Sequence, residues 1–233
     1  MRNSDKQTEH LEKYHGRLLQ TSDYEQGLQR NLKRRVFDTF DQFLRFAGAK
    51  ALTSETQLLD LGSADGSFVD YCIEQGLQAF GTDINDGVNL ECDALPFDDG
   101  VFDVITANSV LEHLQSPANI LGEAFRTLKS GGALILVTPN WKFCVKDFYD
   151  DPTHVRPYTV SSVSELLAMY GFDNVVVVPW LVKKPAWVWR LPFIFQIARF
   201  LPFRGNAPGW IPGFLKGRSA VMMIYAARSS ESL

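Results

Sequence analysis

The chain has 233 residues, of which 45% are hydrophobic and 21% charged, and its formal net charge is −4 at pH 7. This composition excludes a mainly disordered chain, which would combine low hydrophobicity with high net charge, and an odd count of three cysteines argues against a disulfide scaffold. The charge is unevenly distributed, since the first 173 residues carry 15 basic and 26 acidic side chains, whereas residues 174–230 carry eight basic and no acidic ones. An acidic body is therefore followed by a basic segment.

The N-terminal residues and the cysteines bear on the compartment. The N-terminal residues are polar and lack the apolar core of a signal peptide, and no run reaches the roughly 18 to 20 apolar residues of a membrane span. The three cysteines stand among apolar or mixed neighbours, which is typical of reduced thiols. We therefore expect a cytoplasmic protein, and a location at the inner face of the membrane is compatible with this expectation.

Along the chain, a helical segment precedes an alternation of strands and helices. Residues 1–50 are expected to form an N-terminal helical extension or lid, because apolar side chains recur at spacings of three and four before Gly48. The predicted strands are 57–61, 78–84, 101–107, 133–138, 174–178 and 220–227, and the predicted helices between them are 67–75, 117–128 and 160–170. This alternation predicts a doubly wound α/β domain over 51–233, with a mostly parallel sheet covered by helices on both faces.

The turn after the first predicted strand is the most informative stretch. Residues 58–68 read LLDLGSADGSF, and small residues at such a turn let a ligand approach both the backbone and the N–H groups of the following helix. Asp83 ends the next strand, at the edge of the sheet where such folds bind ligands, and its carboxylate can accept hydrogen bonds from both ribose hydroxyls. A tight turn with a solvated Asp is the alternative. A dinucleotide site is disfavoured, because Ala64 and Ser67 stand where its motif has glycines.

These residues resemble the class I S-adenosylmethionine-dependent methyltransferases, especially a branch of ubiquinone-biosynthesis and sugar methyltransferases. The resemblance covers about residues 57–178 and rests on five strings in the family's order: LLDLGSADGSF, GTDI, CDALPF, FDVITANSVLEHL and EAFRTLKSGGALILVTPN. It implies a Rossmann-like sheet of seven strands and S-adenosylmethionine as the cofactor.

The resemblance also implies a set of cofactor contacts. The first string would hold the methionine part, Asp83 the ribose, and Asp93 with Ala94 the adenine. The full set is Asp60, Gly62, Ser63, Ala64, Gly66, Asp83, Ile84, Asp93, Ala94 and Asn108. The family usually has glycine at position 64, and the methyl group of Ala64 is tolerated there if the backbone avoids a positive φ.

Two histidines are candidates for catalysis. Methyl transfer is an in-line displacement, so holding the acceptor in line supplies most of the catalysis, but a hydroxyl acceptor also needs a base, usually His. His113 follows the strand at 101–107, and structural and functional interpretations of it are evenly matched. His154 lies in the polar loop DFYDDPTHVRPY at 147–158, which resembles a loop of bacterial methyltransferases of glycan and secondary metabolism. We predict that His154 is the base and that Asp151 orients its ring.

The same loop has a second interpretation, in which it only shapes the acceptor pocket. Arg156, Tyr158 and the nearby Trp141 are then the substrate-binding residues. Residues 107–110 read Ala-Asn-Ser-Val instead of the Asn/Asp-Pro-Pro-aromatic string of nucleic-acid base methyltransferases, so we expect no nucleic-acid partner. No His or Cys spacing resembles a metal site, so we expect no metal.

The basic segment at 180–218 is an insert before the last predicted strand. It holds four of the five Trp residues together with Lys and Arg and no acid, which is the composition of an element lying in a membrane interface. A cap over the acceptor pocket and a homodimer contact are equally favoured alternatives, whereas a nucleic-acid stacking platform fits the acidic body poorly.

We therefore predict an S-adenosylmethionine-dependent methyltransferase that acts on oxygen. The acceptor expected from the insert is lipid-linked or amphiphilic, such as a quinone precursor or a carrier-bound glycan. The alternatives are a soluble small-molecule or sugar methyltransferase whose insert is a lid, and a non-catalytic cofactor-binding protein that docks on a membrane or a partner.

Overall fold

The computed structural model describes residues 23–180, 203–204, 216–218 and 220–229. The first 22 residues and most of the insert predicted at 180–218 lie outside the described residues, and with them the lid and the membrane-docking, capping or dimer surfaces expected there. The described helices are α1 (Asp23–Phe46), α2 (Ser67–Glu74), α3 (Ala118–Thr127), α4 (Trp141–Cys144) and α5 (Val160–Met169). The strands are β1 (Gln57–Leu61), β2 (Gln78–Thr82), β3 (Phe102–Asn108), β4 (Leu128–Pro139), β5 (Phe172–Pro179), β6 (Phe203–Arg204), β7 (Lys216–Arg218) and β8 (Val221–Arg228).

The main sheet has the strand order β2-β1-β3-β4-β8-β5. The first four strands are parallel, and β8 runs antiparallel to both β4 and β5. The doubly wound α/β prediction is confirmed, but the main sheet has six strands in the part of the chain that the structure describes, not seven. The CDALPF string, at 92–97, forms a loop in which Asp93, like the preceding Asn89, accepts a hydrogen bond from a nearby backbone amide.

Helices cover both faces of this sheet. On one face, α1 and α2 pack through a core that includes Phe40, Phe43 and Phe68, and the rings of Phe40 and Phe68 meet edge to face at 5.7 Å. On the other face, α3 and α5 contribute Leu121 and Val163 to a second core. The described part of the N-terminal extension is thus one of the helices that bury the sheet.

The strand order places a ligand crevice at one edge of the sheet. The chain passes from β1 outward to β2 and then returns to the opposite side of β1 as β3. Ligands of such folds bind beyond the carboxyl ends of the strands, where the order reverses. The turns that follow β1, β2 and β3 are therefore the place to look for a site. None of the helices within the described ranges is long and apolar enough to cross a membrane.

Candidate active site

The turn after β1 depends on glycine. Gly62 has φ +74°, and a Cβ added there would lie 2.5 Å from Cγ2 of Val110, so a side chain is excluded by both conformation and space. The amide of Gly62 donates to the carbonyl of Thr82 at 2.8 Å, which ties the turn to the end of β2. Gly66 has φ +71° at the N-cap of α2, and nothing lies within 4 Å of a Cβ added there. The turn therefore leaves open space beside the first amides of α2.

Ala64 has a left-handed backbone conformation, with φ +52°. The condition for tolerating a methyl group at this position, a φ that is not positive, is therefore not met. The conformation costs a non-glycine residue about 1–2 kcal/mol, and it points the amide of Ala64 at Oδ2 of Asp83, 3.1 Å away. The hydrogen bond explains why the strained conformation is retained.

Asp83 joins the two turns. Its carboxylate accepts from the amide of Ala64 through Oδ2 and from the amide of Asn85 through Oδ1. The next residue, Ile84, leaves 44% of its surface exposed. A carboxylate beside an exposed apolar side chain suits a ribose and its attached base, and the assignment of Asp83 to the ribose stays a prediction.

Asp60, near the end of β1, is also buried. Thr106 donates to its Oδ1 at 2.6 Å. Burial raises the pKa of Asp60 to about 6, with Asp83 adding to the rise, while the Thr106 hydrogen bond and the charge of Lys33 on α1 act against it. A carboxylate that is so poorly solvated gains from a cationic partner.

The loop predicted to hold the adenine is fastened to α3. Asn119 donates from Nδ2 to the carbonyl of Leu90 at 3.1 Å and to that of Asp93 at 2.7 Å. The backbone of this loop is therefore held by α3, while the side chains of Asp93 and Ala94 are exposed to solvent.

The end of β3 turns sharply. Asn108 is exposed as the last residue of the strand, and Ser109 has φ +57° while its amide donates to the carbonyl of Val137 at 2.8 Å. The short 3-10 turn Leu111–His113 follows. This turn delivers Glu112 and His113 to the same edge as the glycine turn.

His113 is linked to Asp151 through Thr153. The Thr153 hydroxyl donates to Oδ1 of Asp151 at 2.6 Å, and it lies 2.8 Å from Nδ1 of His113. Because a hydroxyl has one hydrogen, it must accept from the ring, so Nδ1 of His113 carries the proton and Nε2 the lone pair. Burial alone would raise the pKa of Asp151, but hydrogen bonds from Thr153 and the two nearby histidines lower it on balance.

His154 is oriented by a backbone carbonyl rather than by Asp151. Its Nδ1 donates to the carbonyl of Phe148 at 2.7 Å, whereas its Nε2 lies 3.8 Å from Oδ2 of Asp151, beyond hydrogen-bond distance. The ring lies 4.9 Å from that of His113 and 4.6 Å from that of Phe148, measured between centroids. The structure thus differs from the predicted Asp151–His154 pairing, because the Thr153 amide and hydroxyl bind Asp151 instead.

Glu112 completes the group. Its side chain is 1% exposed, and the hydroxyl of Thr138 donates to its Oε2 at 2.9 Å. Burial raises the pKa of Glu112 to about 6, although its backbone amide, Thr138 and His154 act in the opposite direction. One potential ligand atom from each of Glu112, His113 and His154 lies within 4.8 Å of the other two. We call these three residues the His–Glu cluster.

The predicted substrate-binding residues lie on the same loop in different settings. Tyr158 is buried, burial raises its pKa to about 12, and its carbonyl accepts from the amide of Trp141 at 2.8 Å. The Trp141 ring packs edge to face on Phe148 at 5.5 Å. Arg156 is exposed, and its amide donates to the carbonyl of Glu112. Arg156 is therefore placed to meet a polar ligand from solvent, whereas Tyr158 is buried.

Comparison with known proteins identifies the family. Residues 28–177, more than half of the chain, match the family model of a methyltransferase domain. The chain belongs to this family. A probable S-adenosylmethionine-dependent methyltransferase of Mycolicibacterium smegmatis is 34% identical over 82 residues, which are 34% of this chain and 32% of that protein. The match thus spans about a third of the length of that curated relative. Class I methyltransferase membership, predicted from the five strings, is confirmed.

Solved structures support the fold of this methyltransferase domain. A methyltransferase from Archaeoglobus fulgidus is 20% identical with a TM-score of 0.54, over 84% of this chain and 94% of that one. Another from Mesorhizobium loti is 16% identical with a TM-score of 0.54, over 79% and 95% of the two chains. The ubiquinone and sugar branch stays a prediction.

Several residues of the domain's site were not singled out from the sequence. Thr153, Thr138 and Asn119 each form a hydrogen bond with a residue 26 to 40 positions away, and no local pattern marks such partners. Glu112 stood in the quoted string beside His113, but nothing in the sequence showed that its carboxyl group would be buried. The three ligand-type side chains of the cluster meet although no spacing in the sequence suggested a metal site.

Proposed function

We propose that this methyltransferase domain is an active enzyme that transfers the methyl group of S-adenosylmethionine to a hydroxyl group of an acceptor. The observation that carries the proposal is the meeting of the His–Glu cluster with the glycine turn at one edge of the sheet, where Val110 of the segment leading to Glu112 packs over Gly62. A methyl donor and a proton acceptor are needed side by side for this reaction.

The chain's residues fit the cofactor. A Cβ added to Gly62 or Gly81 would clash within 3 Å, whereas Gly66 borders open space, so the turn is shaped for backbone approach. Asp83 would accept the ribose hydroxyls, Ile84 would cover the adenine, and Asp60 would face the methionine part with its cationic amino group. The cofactor supplies an activated methyl group on a sulfonium.

The cluster supplies the proton acceptor. With S-adenosylmethionine bound, Nε2 of His154 would take the proton of the acceptor hydroxyl as that oxygen receives the methyl group. The hydrogen bond to the Phe148 carbonyl keeps the proton on Nδ1 and leaves Nε2 basic. Arg156, exposed on the same loop, would bind a polar group of the acceptor.

His154→Ala tests this proposal. With methyl-labelled cofactor and a panel of catechol, quinol and glycoside acceptors, we expect turnover to fall by about 100-fold or more, while S-adenosylhomocysteine binding, measured by calorimetry, is unchanged. His10→Ala is the matched control and should retain full turnover. Near-normal turnover in His154→Ala would refute the base assignment, and cofactor binding without turnover on any acceptor would favour a non-catalytic role.

The composition of residues 180–218 supports an amphiphilic acceptor in the same reaction. Basic and aromatic side chains without acids attract a protein to anionic lipid. We expect the full chain to float with anionic vesicles at low salt, to release at high salt, and to methylate a prenylated catechol faster than catechol itself. Failure to float with vesicles at low salt would leave the soluble acceptor as the better proposal.

A further inference from the structure

We propose that the His–Glu cluster is a binding site for a divalent transition-metal ion, with Glu112, His113 and His154 as its protein ligands. One potential ligand atom of each side chain already lies within 4.8 Å of the others. An ion bonded at about 2.1 Å to each ligand holds the ligand atoms about 3.0 to 3.5 Å apart, so side-chain adjustments of about an ångström close the site.

The two imidazoles are prepared for coordination. Ring nitrogens that bind a metal almost always belong to histidines whose other nitrogen donates to a carbonyl, a carboxylate or a comparable acceptor, which fixes the tautomer. His154 donates from Nδ1 to the Phe148 carbonyl, and His113 donates from Nδ1 to Thr153, whose hydroxyl is held by Asp151. In both rings the nitrogen with the lone pair is therefore Nε2, and an outer partner holds each ring in place.

The carboxylate fits the same purpose. Glu112 is 1% exposed and receives a hydrogen bond from Thr138, which orients its Oε2. A buried carboxylate is costly unless it is paired or binds a metal, and among the described residues the ion pairs do not include Glu112. A dication between the carboxylate and the two rings would compensate that charge.

The donor set selects the kind of ion. Two imidazole nitrogens and one carboxylate oxygen suit Zn²⁺, Fe²⁺ or Co²⁺, whereas Mg²⁺ and Ca²⁺ prefer all-oxygen sites. Three protein ligands leave at least one coordination position for an outside molecule, as in catalytic metal sites.

The chemical consequence, unlike the binding itself, rests on the proposed function. An acceptor hydroxyl bound at the open position has its pKa lowered by the ion. Its proton passes to the carboxylate of Asp151, which lies beside His154, and the oxygen attacks the methyl carbon while the C–S electron pair stays on sulfur. In the metal-bound protein, the ion would thus replace His154 as the group that activates the acceptor hydroxyl.

Metal titration tests the site directly. The full chain is stripped with a chelator and carries Cys92→Ser, because Cys92 is an exposed thiol beside two acids that would bind metal adventitiously. We expect calorimetry with ZnCl₂ to show one equivalent of tight binding, and Co²⁺ to give a visible absorption band of a nitrogen-oxygen site. Melting temperature should rise with the free metal concentration.

Matched variants separate ligands from bystanders. Glu112→Gln and His154→Ala should weaken Zn²⁺ binding at least 100-fold, and Thr153→Val, which removes an outer partner only, about 10- to 100-fold. Glu165→Gln changes an exposed acid on α5, and His10→Ala/His15→Ala removes the other two histidines of the chain. These controls should bind Zn²⁺ as the parent does. Circular dichroism shows which variants are folded. If His154→Ala is not folded, Thr153→Val replaces it as the variant that tests Zn²⁺ binding.

Two outcomes overturn the proposal: absence of Zn²⁺ binding to the folded Cys92→Ser protein, or unchanged affinity in Glu112→Gln and Thr153→Val. The S-adenosylhomocysteine affinity of the stripped protein and the turnover of His154→Ala are measured in parallel. If Zn²⁺ does not bind while the cofactor binds and turnover depends on His154, the metal site fails and the proposed function stands. If Zn²⁺ binds and turnover is the same with and without it, hydroxyl activation by the ion is wrong.

Discussion

The edge of the sheet at the carboxyl ends of the parallel strands has two halves: a cofactor half, which contains the turn after β1 and Asp83, and an acceptor half, which contains the His–Glu cluster. The two halves are assembled from residues at different distances along the chain. In the cofactor half, the turn after β1 and Asp83 are joined by the Ala64–Asp83 hydrogen bond, across 19 positions. In the acceptor half, the link between His113 and Thr153 spans 40 positions, and Glu112 reaches Thr138 across 26. The cofactor half is formed by a single strand–turn–helix–strand unit. The acceptor half also requires β4 and the loop at 147–158, which contribute Thr138 and Thr153.

This difference separates binding from chemistry. A change in the cofactor half should alter the affinity for S-adenosylhomocysteine, and a change in the acceptor half should alter turnover or metal binding. Four substitutions test the separation, and they follow in order of decreasing expected effect.

Asp83→Ala should break the cofactor half most completely. The variant loses the proposed acceptor of the ribose hydroxyls and the partner of the Ala64 and Asn85 amides. Because each hydrogen bond to a charged group contributes about 1.5–3 kcal/mol, the dissociation constant of S-adenosylhomocysteine should rise about 100-fold or more, as measured by calorimetry. Asp86→Ala, an exposed acid three residues away, is the control. Similar losses in the two variants would mean that Asp83 does not bind the ribose.

Asp60→Asn should change the pH dependence of stability. The folded pKa of about 6 lies above the usual 3.8, so the native state holds a proton that the unfolded state has lost between these pH values. In the parent protein, the free energy of unfolding should therefore fall by about 2–3 kcal/mol as pH rises from about 4 to 6, and it should remain lower above that range. Thr106, Lys33 and Asp83 face this carboxyl and remain in the variant.

Urea unfolding at several pH values measures this effect. Asp60→Asn should lack the decline seen in the parent between pH 4 and 6, and its affinity for S-adenosylhomocysteine should fall about 10-fold through loss of a charge-assisted contact. Asp65→Asn, on the same turn, serves as the control. A decline of equal size in the parent and in Asp60→Asn would assign the pH dependence to other groups.

Thr138→Val should act on the acceptor half alone. It removes the hydroxyl that donates to the buried Glu112 carboxylate at nearly constant side-chain shape, and should lower the free energy of unfolding by about 1–3 kcal/mol. Cofactor affinity should not change, since the turn after β1 is untouched. Denaturant unfolding and calorimetry on one preparation test both statements. A fall in cofactor affinity as large as that of Asp60→Asn would break the proposed separation.

Ala64→Gly should have the smallest effect. Glycine removes the cost of φ +52° but adds backbone entropy to the unfolded state, and these contributions are each about 1 kcal/mol. The net change in unfolding free energy should lie within about 1 kcal/mol of zero, with the cofactor affinity unchanged or slightly higher. Thermal unfolding and calorimetry check this. A loss of more than about 2 kcal/mol would mean that the Ala64 methyl group contributes packing.

The same contrast explains what could be predicted from the sequence. All six strands of the main sheet and the glycine turn follow from apolar periodicity and small residues, which are local signals, and β1 was predicted at its observed bounds. Even there, the sign of φ at Ala64 could not be predicted from local sequence, because the amide of Ala64 is held by Asp83 in the next turn. In the acceptor half His113 and His154 were found, but the partner of Asp151 was not, since Thr153 competes for the carboxylate at shorter distance.

The close approach of Val110 to Gly62 has a consequence for protein engineering. The two halves meet across a gap that a single methyl group would overfill, so they are not interchangeable modules. A chimaera that keeps this glycine turn and takes residues 108–113 from a relative must bring a side chain no bulkier than valine at position 110. Conversely, shrinking that side chain would leave a hole directly beneath the turn that accepts the cofactor. Grafting experiments on this domain should therefore treat positions 62 and 110 as one unit of exchange.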